Sequence, residues 1–170
     1  MEKGSVIWLC GLAGSGKSTL AQALSQSLQT QLDNVVHLDG DEMRELFGHF
    51  DYDKNGRIQM ALKRAILSRI LAKQGKIVIV STISLFKEVY EFNRANLPNY
   101  FEVFIQCDLK ELKRRDQKGL YSQQIKNVVG MDIPFDEPQP HFVLENNQQN
   151  NLNEKTQQLR DAFLNFYQKQ

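Results

Sequence analysis

The stretch Gly11-Leu12-Ala13-Gly14-Ser15-Gly16-Lys17-Ser18-Thr19 decides the fold of this 170-residue chain. It satisfies the pattern G-x-x-x-x-G-K-[ST], follows the apolar run 6–10 and precedes a segment of helical periodicity. Glycines let backbone N–H groups curl around phosphates, and the start of a helix adds positive potential there. The sequence therefore predicts a P-loop in which residues 11–19 bind a nucleoside triphosphate.

Two kinds of polar side chain predict the chemistry beside this loop. Lys17 is expected to reach the β and γ phosphates of ATP, and the Ser18 hydroxyl to hold Mg²⁺. Asp39 and Asp41 follow the second apolar run, at the sheet edge where open α/β folds bind ligands. One carboxylate can steer Mg²⁺ through its waters and the other can accept the proton of an attacking hydroxyl. The spacing leaves open which is the base, and also whether either only caps the next helix.

Apolar runs that alternate with helical-period segments predict the architecture. Continuous apolar strands suit a parallel sheet covered on both faces. We therefore expect an α/β chain with a three-layer P-loop kinase fold, a mainly parallel doubly wound sheet, and one domain over residues 1–170. The expected strands lie near residues 6–10, 35–38, 77–80, 101–107 and 142–144. The apolar stripes expected to pack helices on the sheet are Leu20-Leu24-Leu28-Leu32, Ile58-Leu62-Ile66-Ile70 and Leu152-Leu159-Phe163-Phe166.

Two segments lack this regular pattern. Residues 115–141 contain two glycines and three prolines, and an irregular stretch of that length predicts a lid that closes over substrate. The polar tract 146–151 is interpreted as a surface connection. The segment Asp51–Gly56 imitates the first half of a calcium loop, but Leu62 stands where the bidentate Glu should be, so a turn and helix start are expected.

Composition narrows the partners. Lys and Arg total 21 against 20 Asp and Glu, so the near-balanced charge argues against nucleic-acid and membrane-surface binding and favours small molecules. The apolar runs are too short to span a bilayer, and the N-terminus lacks the pattern of a signal peptide, so a cytoplasmic protein is expected. Cys10 and Cys107 are expected to stay reduced.

Further segments carry a family resemblance. Together with residues 11–19, 38–41, Arg44 and Ile83-Ser84, the segments Arg115-Asp116-Gln117-Lys118-Gly119-Leu120-Tyr121 and Gly130-Met131-Asp132-Ile133-Pro134-Phe135-Asp136-Glu137-Pro138 resemble the adenylylsulfate (APS) kinases over nearly the whole chain. The resemblance implies transfer of the ATP γ-phosphoryl group, with Mg²⁺, to the ribose 3′-hydroxyl of a nucleotide conjugate. It also implies a lid and a homodimer.

The resemblance also implies residue roles. Asp39 and Asp41 would supply the base and the metal-steering group, and Arg44 and Arg57 would bind the acceptor's anionic tail. Lid residues would close over the ATP phosphates. These are Arg115 and Lys118. The remaining residues expected to contact the acceptor are Phe50, Ile83, Ser84, Leu120 and Val128.

Several positions depart from the family's usual pattern. Val128 replaces one of two aromatic faces that would sandwich adenine, Met60 replaces an Asn, and Leu85-Phe86 replaces Pro-Tyr. A lost aromatic face forfeits roughly 1–3 kcal/mol of stacking. The departures resemble a variant subgroup of bacterial capsule phosphoramidate synthesis, which implies cytidine diphosphoramidate as acceptor, with adenylyl sulfate as the alternative. A metabolite kinase of the shikimate or gluconate type and a catalytically silent scaffold remain rival hypotheses.

Overall fold

The first strand leads directly into the P-loop. The structure, a computed structural model that describes residues 4–170, places β1 at Ser5–Cys10 and α1 at Lys17–Gln29. Loop residues 11–16 therefore join a fully buried strand to a helix, as the motif predicts. Residues 1–3, which form most of the N-terminus predicted to lack a signal peptide, lie outside the described residues.

Strands and helices alternate along the rest of the chain, which confirms the predicted α/β class. The further elements are β2 (Val35–Leu38), α2 (Gly40–Phe47), α3 (Lys54–Lys73), β3 (Ile77–Thr82), α4 (Lys87–Asn96), β4 (Tyr100–Gln106), α5 (Leu109–Arg115), β5 (Phe142–Glu145) and α6 (Leu152–Tyr167). Within residues 4–170, five strands form one sheet in the order β2-β3-β1-β4-β5, with every neighbouring pair parallel. The order reverses beside β1, so the P-loop lies at a switch point where such sheets bind ligands.

The core lies on both faces of this sheet. Val6 and Trp8 of β1 point to one side, where they join Met60 and Phe86. Ile7 of β1 points to the other side, among residues of α1 and α6. This alternation along a strand buried on both faces is the reason that β1 is apolar at successive positions.

The helices pack partly as the periodicity predicts. In α1, Leu20, Leu24 and Leu28 are buried as expected, while Leu32 follows the end of the helix. In α6, Leu159 and Phe163 are buried and Phe166 packs against the same cluster, but Leu152 is exposed.

For α3 the predicted face is wrong beyond its first turn, because Ile58 packs against the core but the stripe then turns away from it. Ile66 and Ile70 are 40% and 49% exposed, and the helix instead buries Met60, Ala61, Ala65 and Ala72. Small alanines let the helix approach the sheet closely, and the same face carries the polar residues Arg64 and Ser68. Those two polar residues interrupt the apolar pattern, so the isoleucine stripe gives the stronger signal in the sequence.

Other predictions concern short segments. The segment Asp51–Gly56 is a turn and helix start, because the Asp53 carboxylate caps α3 by accepting the Gly56 N–H at 2.7 Å. Cys10 and Cys107 are free thiols, and burial raises the pKa of Cys10. Among residues 4–170 no helix has the length and apolar character needed to cross a membrane.

The environment of the His141 imidazole leads us to expect that the stability of the fold depends on pH. Its Nδ1 accepts the Glu102 backbone N–H at 3.0 Å, and burial lowers the pKa of His141 below 6.5. The contribution of the neutral imidazole to the free energy of unfolding is therefore complete above the unfolded-state pKa and is lost as pH falls through the folded-state pKa. We expect urea unfolding to show lower stability at about pH 5.5 than at about pH 7.5, and a smaller difference in His141→Gln. An equal pH dependence in the variant would contradict this account.

Candidate active site

A cavity of about 570 Å³ opens at the carboxyl ends of β1, β2 and β3. One wall is formed by the P-loop and the start of α1, and is called the donor side because the sequence predicts that it binds ATP, the phosphoryl donor. The other wall is formed by α2, α3 and the lid segment, residues 115–141. The P-loop residues that line it are Ala13, Gly14, Gly16, Lys17, Ser18 and Thr19. The cavity therefore lies where the sequence predicts nucleotide binding.

Four consecutive carbonyl oxygens of the P-loop each accept a hydrogen bond from a side chain. The pairs are Leu12 O with Lys17 Nζ at 2.7 Å, Ala13 O with Tyr121 Oη at 2.6 Å, Gly14 O with an Arg115 guanidinium nitrogen at 3.0 Å, and Ser15 O with Asn146 Nδ2 at 2.7 Å. Carbonyl and N–H groups of one peptide point in opposite directions. Fixing the carbonyls thus fixes where the N–H groups that would bind phosphate point.

Arg115 supports the loop from behind. Its side chain is only 4% exposed, and it also donates to Asn146 O at 2.6 Å and to Glu111 at 2.8 Å. Hydrogen bonds from Arg114 and Arg115 lower the pKa of Glu111 to about 2. The family resemblance implies an Arg115 that closes over phosphate, but the structure places its guanidinium against the P-loop backbone and outside the cavity lining.

Asn146 is a residue that the sequence analysis missed. It begins the tract interpreted as a surface connection, yet it is 7% exposed and its Oδ1 accepts from Lys155 Nζ at 2.8 Å. Gly16, with φ of +94°, faces it so closely that a Cβ there would lie 2.5 Å from Asn146 Nδ2. One amide in a run of Asn and Gln gives no signal of this role.

Lys17 lies at the centre of the donor side. Its Nζ also lies 3.3 Å from Ser15 Oγ, and burial lowers the pKa of Lys17 to about 8. An anionic phosphate would favour the charged form of this amine. Ser18 and the two carboxylates Asp39 and Asp41 line the same cavity. A hydroxyl and carboxylates are the oxygen ligands that suit Mg²⁺ alongside substrate phosphates.

Asp39 and Asp41 occupy different positions at the start of α2. Asp39 Oδ1 accepts the Asp41 N–H at 3.0 Å, so Asp39 is the helix cap that the alternative interpretation named. It also lines the cavity, so capping and a role at the site are compatible. Asp41 Oδ2 lies 3.4 Å from Lys118 Nζ on the lid segment, and both side chains are exposed.

Two arginines of the predicted acceptor site come together around an aromatic ring. The guanidinium carbons of Arg44 and Arg57 lie 4.2 Å and 5.5 Å from the Tyr52 ring centroid, and all three residues line the cavity. Burial and the neighbouring Arg44 lower the pKa of Arg57. Phe50, which the resemblance implies as an acceptor contact, is 58% exposed and lies outside the lining. Tyr52, two residues further on, is the aromatic residue of this segment that lines the cavity.

The remaining predicted acceptor residues divide into two groups. Those that line the cavity are Ile83, Lys118, Leu120 and Val128. Ser84 instead is fully buried, and its Oγ accepts the Trp8 indole N–H at 2.9 Å. Its position is explained by that hydrogen bond within the core.

The departures from the family pattern also divide. Val128 lines the cavity, but Met60, Leu85 and Phe86 are fully buried in the core. The expectation that all of them alter the nucleoside pocket is therefore wrong for the last three. In the core they pack against the sheet, where size and apolar character decide the residue.

A P-loop at the switch point of a parallel sheet, with carboxylates after β2 and arginines on the opposite wall, defines a P-loop kinase. The chain belongs to the adenylylsulphate kinase family, whose family model matches residues 3–145. This membership excludes the shikimate and gluconate kinases as the family of the chain, and its relatives are kinases.

Three relatives illustrate this membership. The chain is 53% identical over 156 residues to the cytidine diphosphoramidate kinase of Campylobacter jejuni, covering 89% of this chain and 92% of that protein. It is 38% identical to the adenylyl-sulfate kinase of Pseudomonas aeruginosa, over 85% of this chain and 78% of that protein. The Mycobacterium tuberculosis APS kinase CysC, solved with AMPPNP and APS, superposes with a TM-score of 0.85 at 28% identity, covering 96% and 99% of the two chains.

Removing one carbonyl contact tests the support of the P-loop. Tyr121→Phe keeps the ring and deletes the hydroxyl that binds Ala13 O. We expect kcat/KM for ATP to fall by about three- to tenfold, the effect of one lost hydrogen bond. Tyr90→Phe is the matched control, because it deletes a tyrosine bond to the backbone carbonyl of Asp136, away from the P-loop. Equal effects of both variants on ATP kinetics would show that Tyr121 has no special role.

Proposed function

We propose that this protein transfers the γ-phosphoryl group of ATP to the ribose 3′-hydroxyl of cytidine diphosphoramidate, in capsular polysaccharide phosphoramidate synthesis. The observation that carries this proposal is its 53% identity to a cytidine diphosphoramidate kinase, against 34% to 38% for adenylyl-sulfate kinases. The likeness to the former spans nearly the full length of both chains. We further propose that the protein is a cytoplasmic homodimer, the dimer being supported by the family resemblance and the location by the short apolar runs of the sequence.

The transfer requires one proton acceptor and a site that neutralises phosphate charge. The ribose 3′-oxygen attacks the γ-phosphorus, the bond from that phosphorus to the β–γ bridging oxygen breaks, and ADP leaves. One of the pair Asp39 and Asp41 accepts the hydroxyl proton. Lys17 exchanges its contact with Leu12 O for phosphate oxygens. Ser18 would hold Mg²⁺, with a carboxylate of the pair acting through water, and the ion would neutralise phosphate charge.

The opposite wall supplies acceptor binding. Arg44 and Arg57 pair with the oxygens of the acceptor's anionic tail, because a planar guanidinium can donate two parallel hydrogen bonds. Tyr52 offers an aromatic face to the nucleoside, and Val128, which lines the same cavity, offers an aliphatic one. A single aromatic face suits a cytosine, which has less ring surface to stack than adenine.

The lid segment covers the part of the cavity in which ATP and the acceptor meet. Tyr121 holds it to the P-loop, and Lys118 and Leu120 line the cavity from above. Lys118 would move from Asp41 to the phosphates when ATP and acceptor are bound. Exclusion of water by a closed lid protects the phosphoryl group from hydrolysis.

The decisive experiment compares two acceptors side by side. With ATP and Mg²⁺, we expect kcat/KM for cytidine diphosphoramidate to exceed that for adenylyl sulfate. The reason is that Val128, in place of an aromatic residue, removes about 1–3 kcal/mol of stacking that would favour the purine. The phosphorylated hydroxyl is located by ³¹P NMR, and Lys17→Ala is the inactive control. A preference for adenylyl sulfate would make this an adenylyl-sulfate kinase of sulfate assimilation, and transfer to neither would overturn the proposal.

A further inference from the structure

Arg64 is a buried guanidinium on the cavity wall that none of the roles above uses. It lies on α3, is 4% exposed and lines the cavity. One terminal nitrogen donates to Thr82 Oγ1, and the other donates to the Gly40 carbonyl oxygen at 2.8 Å. Both acceptors are neutral, and within residues 4–170 the buried Nε has no hydrogen-bond partner.

This guanidinium makes no ion pair in the described part of the chain, although the nearby carboxylates of Asp39 and Asp41 act to raise its pKa. An arginine has five N–H donors, and Arg64 uses two. In the described part of the chain, none of the ion pairs involves Arg64, Arg44 or Arg57. Burial and the neighbouring Arg44 lower the pKa of Arg64 to about 10. A buried cation without a paired anion is costly, so an anionic ligand would supply the negative charge that pairs with this guanidinium.

The position of Arg64 indicates which part of the ligand it meets. Arg57 and Arg64 are seven residues apart on α3, which places them on one helix face about 10 Å apart along its axis. Arg57 donates to Asn127 O, next to the nucleoside wall at Val128. Arg64 lies on the same face about two turns further along α3, where it bonds to Gly40 and to Thr82 at the end of β3. The two arginines therefore extend from the segment next to Val128, where the nucleoside is proposed to bind, to the carboxyl edge of the sheet.

We propose that Arg64 is a specificity-determining residue that binds the terminal phosphoryl group of an acceptor built as a nucleoside 5′-diphosphate derivative. This inference rests on the proposed function for the place of the acceptor. Arg44 and Arg57 bind the part of the tail nearer the nucleoside, and Arg64 binds its distal end. The forked guanidinium matches the oxygens of a tetrahedral phosphoryl group.

Binding of nucleotides that differ by one phosphate tests this assignment. Calorimetry measures the Kd of CMP and of CDP, with AMP and ADP in parallel, while AMPPNP and Mg²⁺ saturate the donor site. We expect CDP to bind more tightly than CMP, and Arg64→Met to weaken CDP by about ten- to hundredfold while leaving CMP unchanged. Arg64→Lys keeps the charge without the fork and should give an intermediate loss. Arg69→Met is the matched control, because Arg69 lies on the same helix, outside the cavity lining, and contacts the neutral Asn96 side chain at 3.4 Å.

The outcomes separate this inference from the proposed function. The CDP-to-CMP and ADP-to-AMP ratios report on Arg64, whereas the cytidine-to-adenosine preference reports on the proposed acceptor. Equal weakening of the mono- and diphosphate in Arg64→Met, or wild-type ratios in both Arg64 variants, would overturn the assignment. If the variants keep wild-type AMPPNP affinity, their P-loop is intact. Tighter binding of the adenine nucleotides would contradict only the proposed acceptor.

Discussion

The outward fixing of the P-loop carbonyls is the constraint on which the rest of the site depends. A loop that presents N–H groups to phosphate must satisfy its carbonyls elsewhere, because unpaired buried carbonyls are costly. Here the partners come from α1, the end of α5, the lid segment and the residue after β5. Elements far apart in sequence therefore have to meet at one short loop, and the parallel sheet brings them there.

Charge is the second organising feature, because the cavity has more cations than anions. Among residues 4–170, six cationic side chains and two carboxylates line it, the cations being Lys17, Arg44, Arg57, Arg64, Lys118 and Lys126. Two polyanionic substrates must lie close together for phosphoryl transfer, and their mutual repulsion is reduced by such a surplus. The carboxylates Asp39 and Asp41 follow β2 at the sheet edge and line the same cavity. The distribution of charge therefore suits a reaction between two bound nucleotides.

Much of this arrangement could be predicted from the sequence. The P-loop pattern and the apolar strands are local signals, because backbone geometry and burial on both faces restrict the residue at each position. Asn146 and Tyr52 could not be found in this way. Their roles depend on which surface a side chain meets after folding, and neighbouring residues of the same type, such as Asn147 and Phe50, give an equal signal.

The helix α3 shows the same limit for packing. Its buried face combines alanines with Arg64 and Ser68, so hydrophobicity alone selects the wrong stripe. A polar residue on a buried helix face is paired or functional more often than it is accidental. In this chain, Arg64, which interrupts the periodic pattern, is also a buried cation of the cavity wall that makes no ion pair with the described residues. Departures from a regular pattern are therefore informative about sites as well as about errors of prediction.

The most direct test of this account is a pair of crystal structures, one without nucleotide and one with AMPPNP and Mg²⁺. We predict that the bonds from Tyr121, Arg115 and Asn146 to the P-loop carbonyls are the same in both. Of the four side chains that bond to these carbonyls, only Lys17 should change partner, with its Nζ moving from Leu12 O to phosphate oxygens. A P-loop that forms these carbonyl contacts only when nucleotide binds would contradict a preorganised site.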